Sequence, residues 1–101
     1  MCLNLIQSLE SGAVARLPDQ RYITPPETLA AFPGARKSRP KGPGNKRRRR
    51  WVDDRTGRIF EWDYQHGTVE MFDGRGNHMG GFDPQTGVQT KHADRTRSTE
   101  P

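Results

Sequence analysis

The sequence has few of the features that usually stabilise or anchor a small exported protein. Only one of its 101 residues, Cys2, is a cysteine, so no disulfide can form within the chain and no Cys-x-x-Cys zinc site exists. Hydrophobic residues make up 30% of the chain, and no run approaches the roughly 20 apolar residues that span a bilayer. We therefore expect one small domain with a limited core and no stable membrane insertion.

Signals for export and for metal binding are also missing. Residues 1–9 are apolar but short and lack a basic start, which is untypical of a signal peptide. No H-x-x-H or H-E-x-x-H spacing links the three histidines, so we expect no metal, and we interpret His78 and His92 as incidental. A metal-dependent DNase would need a histidine-rich motif of that kind, and no small-molecule cofactor is expected.

Positive charge is abundant and clustered. The chain has 17 Lys and Arg against 12 Asp and Glu, which gives a net charge of +5 and favours nucleic acid, an anionic membrane surface or an acidic protein as partner. Arginines bind phosphates, and an adjacent tryptophan can stack on a base or anchor a strand. The expected RNA-contacting run is Lys46, Arg47, Arg48, Arg49, Arg50 and Trp51. The alternatives are a solvated charge run and a tract of the nuclear-localisation or heparin-binding type.

Composition divides the chain into two parts. Leu3, Ile6 and Leu9 lie at helical spacing and predict a short N-terminal helix. Residues 18–45 contain six prolines, which favour an extended arm or linker with at most one helical turn at 28–32. We therefore expect a helical and Pro-Gly-rich arm over residues 1–45 and a β-sheet domain over residues 46–101.

The second part has the pattern of a β-meander. Phe60, Trp62 and Tyr64 alternate with acidic residues, as in a half-buried strand. Turn residues recur about every ten positions, which predicts turns at 53–57, 65–68, 73–76 and 83–87. The strands between them are 48–52, 58–64, 69–71, 77–82 and 88–90, and the polar tail 92–101 is expected to be frayed. The predicted fold class is α+β, mainly β, with a highly twisted antiparallel sheet.

One hairpin could carry chemistry. A loop at 65–68 would place Asp63 opposite Glu70, with His66 between them, and two opposed carboxylates should raise the pKa of one. Such groups suit acid–base cleavage of RNA without a metal. A glutamate accepts the ribose 2′-OH proton, a histidine protonates the leaving 5′-oxygen, and a cation stabilises the phosphorane. The alternative is that all three are ordinary solvent-facing strand and turn residues.

Several segments resemble the cytotoxic domain of the colicin and cloacin ribonucleases. They are residues 46–51 (KRRRRW), 58–67 (RIFEWDYQHG), Glu70 and 81–89 (GFDPQTGVQ). The resemblance covers roughly residues 46–97 and implies a short helical part followed by a twisted antiparallel sheet. It also implies one cut in 16S ribosomal RNA at the decoding site of the 30S/70S ribosome, which inhibits translation. An acidic immunity protein would protect the producing cell, and the released toxin would act in the target cytoplasm.

The resemblance also assigns residue roles. The family's catalytic acid, base and supporting carboxylate fall on His66, Glu70 and Asp63, and its phosphate-binding C-terminal arginine falls on Arg97, with Arg95 as the alternative. Arg58 joins the basic run as an expected RNA contact. Thr68 stands where the family has an acidic residue. A non-catalytic basic RNA- or ribosome-binding module is the other functional hypothesis, and it would not need the Asp63, His66 and Glu70 set.

Overall fold

The computed structural model describes residues 22–42 and 48–101. These residues form six strands in one antiparallel sheet, and none of them is helical. The strands are β1 (Ala35–Ser38), β2 (Arg50–Asp53), β3 (Ile59–Asp63), β4 (Thr68–Phe72), β5 (His78–Phe82) and β6 (Gln89–Lys91). Each strand pairs with its neighbour in sequence, so the predicted antiparallel meander is confirmed. The predicted N-terminal helix falls on residues outside the described part.

Three connecting turns share one construction. An aspartate ends the preceding strand or directly follows it, and its Oδ1 accepts hydrogen bonds from the amides two and three residues later. A glycine four residues after the aspartate has φ between 70° and 79° and donates its amide to the aspartate carbonyl. Only glycine adopts this backbone conformation without a steric cost, so the D-x-x-x-G spacing fixes the turn. The turns run from Asp53 to Gly57, Asp63 to Gly67 and Asp83 to Gly87.

One face of the sheet forms the hydrophobic core. The buried side chains on it come from β2, β3 and β4, namely Trp51, Phe60, Trp62, Val69 and Met71. Burial of each large side chain stabilises the fold by roughly 1.5–3 kcal/mol. The predicted alternation over 58–64 therefore identified the apolar face correctly.

The segment before β1 covers this core, which corrects the prediction of an extended arm. Leu29 is 1% exposed and belongs to the core cluster. The indole Nε1 atoms of Trp62 and Trp51 donate to the carbonyl oxygens of Ile23, at 2.7 Å, and Glu27, at 3.2 Å. Residues 29–32 form a hydrogen-bonded turn where a helical turn was considered, and β1 pairs with β2. The prolines favoured an extended chain and so gave no sign of these contacts. The segment nevertheless packs here because the apolar side chains of β2 and β3 must be covered.

The register of the β3–β4 hairpin differs from the prediction. Asp63 lies opposite Thr68, and Glu70 lies opposite Glu61 rather than Asp63. The loop begins one residue earlier than expected, because the amide of Gly67 bonds the carbonyl of Asp63 and closes the turn there. The pairing moves by two positions, so the faces are unchanged while the partners are exchanged.

The C-terminal tail is docked on the sheet, against the expectation that it frays. Asn77 and Ser98 form an isolated antiparallel bridge, and the amide of Thr99 donates to the carbonyl of Gly76 at 2.9 Å. Gly76 has φ 89°, and a Cβ there would overlap the carbonyl oxygen of Thr99. The missing side chain at this position is therefore what lets the tail approach the β4–β5 turn. No helix in the described part of the chain is long and apolar enough to cross a membrane.

Candidate active site

The turn between β3 and β4 presents an oriented histidine. The imidazole Nδ1 of His66 lies 2.8 Å from Oδ2 of Asp63, and the carboxylate accepts this hydrogen bond. The other ring nitrogen, Nε2, points away from this pair on a side chain that is 64% exposed. Burial alone would raise the pKa of Asp63, but hydrogen bonds from the His66 ring and from the amides of Gln65 and His66 lower it. Asp63 therefore stays ionised, builds the turn and orients the imidazole.

Comparison with the two equivalent turns shows that His66 replaces a structural residue. The position before the glycine is Thr56 in one turn and Thr86 in the other, and each hydroxyl accepts the amide two residues later at 3.2 Å. His66 occupies this position in the β3–β4 turn and makes its contact with Asp63 instead. The β3–β4 turn therefore has the same backbone hydrogen bonds as the other two turns, but a titratable histidine stands where they have a threonine that stiffens the turn.

Glu70 lies in the middle of β4 with its carboxylate fully buried. Its Oε1 accepts hydrogen bonds from Nε2 of His78 at 2.6 Å and from Nη1 of Arg97 at 3.1 Å. Its Oε2 forms an ion pair with Nζ of Lys91 at 3.0 Å, without the geometry of a hydrogen bond. Burial would raise the pKa of Glu70, but His78, Lys91 and Arg97 together lower it. The sequence-based expectation of a raised pKa is wrong, because Glu70 faces two cations and a neutral donor.

His78 belongs to this cluster, which corrects its interpretation as incidental. Its side chain is completely buried, and its Nδ1 accepts the backbone amide of Asp94 at 2.9 Å. Since Nδ1 is an acceptor, the proton lies on Nε2, which donates to Glu70. The histidine therefore fixes the Glu70 carboxylate as a neutral donor and ties the C-terminal tail to β5.

Glu70 belongs to a row of directly opposed residues that crosses five strands. Register pairs connect Arg50, Glu61, Glu70, Gly81 and Lys91 in that order from β2 to β6. Two carboxylates thus stand side by side with one cation at each end of the row. The row arises because opposed residues in a sheet share a face, and it was not anticipated because Glu61 was assigned no role.

The tail brings further groups to the row from above. Arg97 contacts Glu70, and the hydroxyl of Thr99 donates to Oε2 of Glu61 at 2.5 Å. Glu61 also accepts from Nη1 of Arg50 at 3.2 Å. Arg95 is exposed, so Arg97 is the tail arginine that the structure brings to Glu70. Sequence reasoning missed Glu61, His78, Lys91 and Thr99 as members of the site.

An open cavity of about 250 Å³ lies beside these groups. Its lining residues come from the β3–β4 hairpin and from β6, and they are Asp63, His66, Thr68, Thr90 and Lys91. His66 on the β3–β4 hairpin and Lys91 on β6, at the edge of the sheet, thus line the same cavity. An imidazole, a cation and two hydroxyl-bearing threonines can all contact a group bound there.

The basic run is divided between surface and interior. Arg48 is exposed, but Arg50 is 2% exposed and paired with Glu61, and Trp51 is 0% exposed. The expectation that Arg50 and Trp51 contact RNA is therefore wrong, because both side chains lie inside the fold. Arg58 is exposed before β3, at the end of the strand away from Asp63. Arg49 is half-buried, and Lys46 and Arg47 lie outside the described residues.

Comparisons with known proteins connect this geometry to one family. The family model described as Cytotoxic matches residues 23–100. Colicin E3 of Escherichia coli is 45% identical over 67 residues, which is 65% of this chain and 12% of that protein. Cloacin is 45% identical over 60 residues and colicin-E6 is 43% identical over 60 residues, both also from Escherichia coli. Each match covers 58% of this chain and 11% of the relative.

The chain thus spans about one ninth of the length of the relatives it matches. The family match covers the segment that lies over the core, all six strands and the docked tail, including every residue of the site described above. The chain belongs to the Cytotoxic family, the cytotoxic domain of the colicin E3 type.

Proposed function

We propose that this domain is a toxin endoribonuclease that cleaves 16S ribosomal RNA at the decoding site and stops translation. Glu70 accepts the proton of a ribose 2′-OH, and the 2′-oxygen attacks the adjacent phosphorus. His66 donates a proton to the departing 5′-oxygen, which leaves as a 5′-hydroxyl. The products are a 2′,3′-cyclic phosphate and a free 5′ end. Histidine suits the acid because imidazole titrates near neutrality.

The observation that carries the proposal is the exposed imidazole that Asp63 orients at the mouth of the cavity. Nδ1 of His66 is held by a carboxylate, while Nε2 is free to exchange a proton with a bound group. This is the geometry in which a carboxylate fixes the tautomer of a catalytic histidine. A module that only binds RNA needs an exposed basic surface, and an oriented Asp–His pair adds nothing to such binding.

The electrostatics support cleavage without a metal. Lys91 and Arg97 both contact Glu70 and are partly exposed, at 47% and 33% of their side chains. A dianionic phosphorane in the adjacent cavity would face Lys91, which lines it, and Arg97 on the same carboxylate would add positive charge nearby. We propose that the reaction needs no metal or other cofactor.

The likeness to the colicins extends the proposal to partners and place of action. Colicin E3, cloacin and colicin-E6 are Escherichia coli proteins, and this chain matches 11–12% of their length. We propose that the toxin is released by a producer cell and acts in the cytoplasm of a target bacterium. An acidic immunity protein would hold it inactive in the producer, since a net charge of +5 favours such a partner.

A non-catalytic ribosome-binding module is the second candidate. The exposed Arg48 and Arg58 favour it, because surface arginines bind phosphate without chemistry. The two candidates differ in what the Asp63–His66 pair does. Whether the ribosomal RNA is cut therefore distinguishes the two candidates, whereas the affinity for the ribosome does not.

The test is incubation with purified bacterial 70S ribosomes, followed by separation of the RNA on a gel. His66→Ala and Glu70→Ala are compared with His92→Ala, which removes an exposed histidine elsewhere. Wild type and His92→Ala should release one short fragment from the 3′ end of 16S RNA. The His66 and Glu70 variants should lose at least about 100-fold in rate.

One further arm tests the need for a metal, and two outcomes would reject the proposal. Protein treated with EDTA before mixing should cleave at the same rate as untreated protein. Tight ribosome binding with intact RNA would reject the ribonuclease and leave the binding module. Cleavage that survives His66→Ala would reject the assigned mechanism.

A further inference from the structure

Lys91 reaches Glu70 only because the residue between them has no side chain. Gly81 on β5 lies between Glu70 on β4 and Lys91 on β6 in the same row of the sheet. A Cβ at Gly81 would lie 3.2 Å from Cβ and 3.4 Å from Cε of Lys91. The lysine stem therefore lies across the glycine, and its ammonium crosses from the sheet edge to the buried carboxylate.

Lys91 differs from the other partners of Glu70 in its exposure and in the atom that it contacts. His78 is completely buried and Arg97 is one-third exposed, and both bind Oε1. Lys91 is about half exposed and is the ion-pair partner of Oε2 among the described residues. Lys91, the partner of Oε2, is thus the most exposed of the three side chains that contact Glu70. It also lines the cavity.

We propose that Lys91 is a substrate-contacting residue that moves from Oε2 of Glu70 to the scissile phosphate. This inference rests on the proposed ribonuclease function. In the free protein the ammonium neutralises the buried carboxylate. When a phosphodiester enters the cavity, its non-bridging oxygen takes the ammonium, and Oε2 becomes free to accept the 2′-OH proton. One cation then serves first the base and afterwards the developing phosphorane.

The movement of the Lys91 ammonium is physically reasonable because the Glu70 carboxylate and a phosphodiester in the cavity are both anionic and both close to it. Glu70 keeps the hydrogen bonds from His78 and Arg97 on Oε1, so the carboxylate remains held when Lys91 leaves. Losing a cation from Oε2 also makes the carboxylate a stronger base. Substrate binding and activation of the base are therefore coupled through a single side chain.

The experiment measures kcat/KM for ribosome cleavage as a function of salt with Lys91→Met, Lys91→Gln and Lys91→Arg. Lys37→Met is the matched control, because Lys37 is an exposed lysine of β1, at the other edge of the sheet, with its own carboxylate partner, Glu27. Lys91→Met should lose about 100-fold in kcat/KM, as expected for one transition-state contact. Its plot of log kcat/KM against log salt should become shallower by about 0.7–1, which marks one lost phosphate contact.

The other variants separate this role from a structural one. Lys91→Arg should regain most of the activity, and Lys37→Met should retain it. Lys91→Gln keeps a polar partner for Glu70, so it should melt like wild type and still be slow. An active Lys91→Gln, or a slow variant with an unchanged salt slope, would overturn the inference while leaving the ribonuclease intact. A wild type that cuts no RNA would instead reject the proposed function itself.

Discussion

Glu61 and Glu70 lie directly opposite each other on β3 and β4, yet each carboxylate has its own cation. Arg50 holds Glu61 from β2, and Lys91 and Arg97 hold Glu70 from β6 and the tail. Opposed carboxylates normally destabilise a hairpin, so the cations on both sides are needed for the pair to persist. The structure and the proposed chemistry therefore depend on the same ion pairs.

Arginines two positions apart in the basic run should have different roles. Arg50→Ala removes the cation beside Glu61 and leaves a nearly buried carboxylate, so we expect the free energy of unfolding to fall by about 3 kcal/mol. Arg48→Ala changes an exposed side chain and should leave stability within about 0.5 kcal/mol while weakening ribosome binding. Urea denaturation and ribosome co-sedimentation measure the two effects. Equal stability of both variants would contradict the structural role of Arg50.

The role of Asp63 in orienting His66 can be tested by making the same substitution in an equivalent turn that has no histidine. Asp63→Asn keeps an Oδ1 that accepts the Gln65 and His66 amides, but its amide nitrogen donates where the carboxylate accepted. The imidazole then favours the wrong tautomer, and kcat should fall at least about 100-fold with little loss of stability. Asp83→Asn makes the same change in a turn that has Thr86 in place of the histidine. It should leave the cleavage rate unchanged, and a similar loss in both variants would point to turn damage.

Docking of the tail should depend on Gly76. Gly76→Ala places a Cβ against the carbonyl of Thr99 at a φ of 89°, so we expect a loss of about 1–3 kcal/mol of stability. The displaced tail would carry Arg97 away from Glu70, and cleavage should fall as well. Gly74→Ala is the control, because a Cβ there meets only ordinary contacts from 3.5 Å. Hydrogen exchange at the amide of Thr99 should accelerate in the first variant alone.

Acid should destabilise the fold through Glu70. Its pKa is lowered in the folded protein because His78, Lys91 and Arg97 outweigh the effect of burial. A lowered folded pKa means that the unfolded chain takes up the proton first. The contribution is therefore complete above the unfolded value, near 4.3, and is lost as the pH falls toward the folded value. Glu61 lies opposite Glu70 and is paired with Arg50.

Thermal melting between pH 7 and pH 3 measures this effect. Wild type should lose stability below about pH 5, in the range where an ordinary glutamate begins to protonate. Glu70→Gln should show a smaller loss over the same interval, although it is less stable at neutral pH. An identical acid dependence in the two proteins would show that Glu70 is not held as an ionised carboxylate.

Local sequence pattern was enough to predict five of the six strands and the turns between them, but neither β1 nor the partners across the sheet. Alternation in β3 identified the apolar face, and the turn residues gave both ends of all five predicted strands to within two positions. The register was wrong because the loop was counted from Gln65, whereas the D-x-x-x-G construction closes at Asp63. The same spacing at Asp53 and Asp83 contained the information needed for the correct register.

Long-range contacts explain what remained hidden. His78 and Glu70 are eight residues apart, and Thr99 and Glu61 are 38 residues apart. No periodic pattern within one strand reports such contacts, since they depend on the order of strands and on the path of the tail. The run of arginines likewise gives no local sign of which member is buried. Arg50 is inside because it lies at a register position opposite Glu61.

The neighbour-to-neighbour order of the strands has a kinetic consequence. Each hairpin can close over a short loop, so little chain entropy is lost at each step and the sheet can grow one strand at a time. The contacts of Arg97 with Glu70 and of Thr99 with Glu61 close loops of 27 and 38 residues. We therefore expect a refolding chain to complete its sheet before the proposed catalytic groups are assembled, so that fluorescence of the buried tryptophans recovers ahead of the proposed ribonuclease activity.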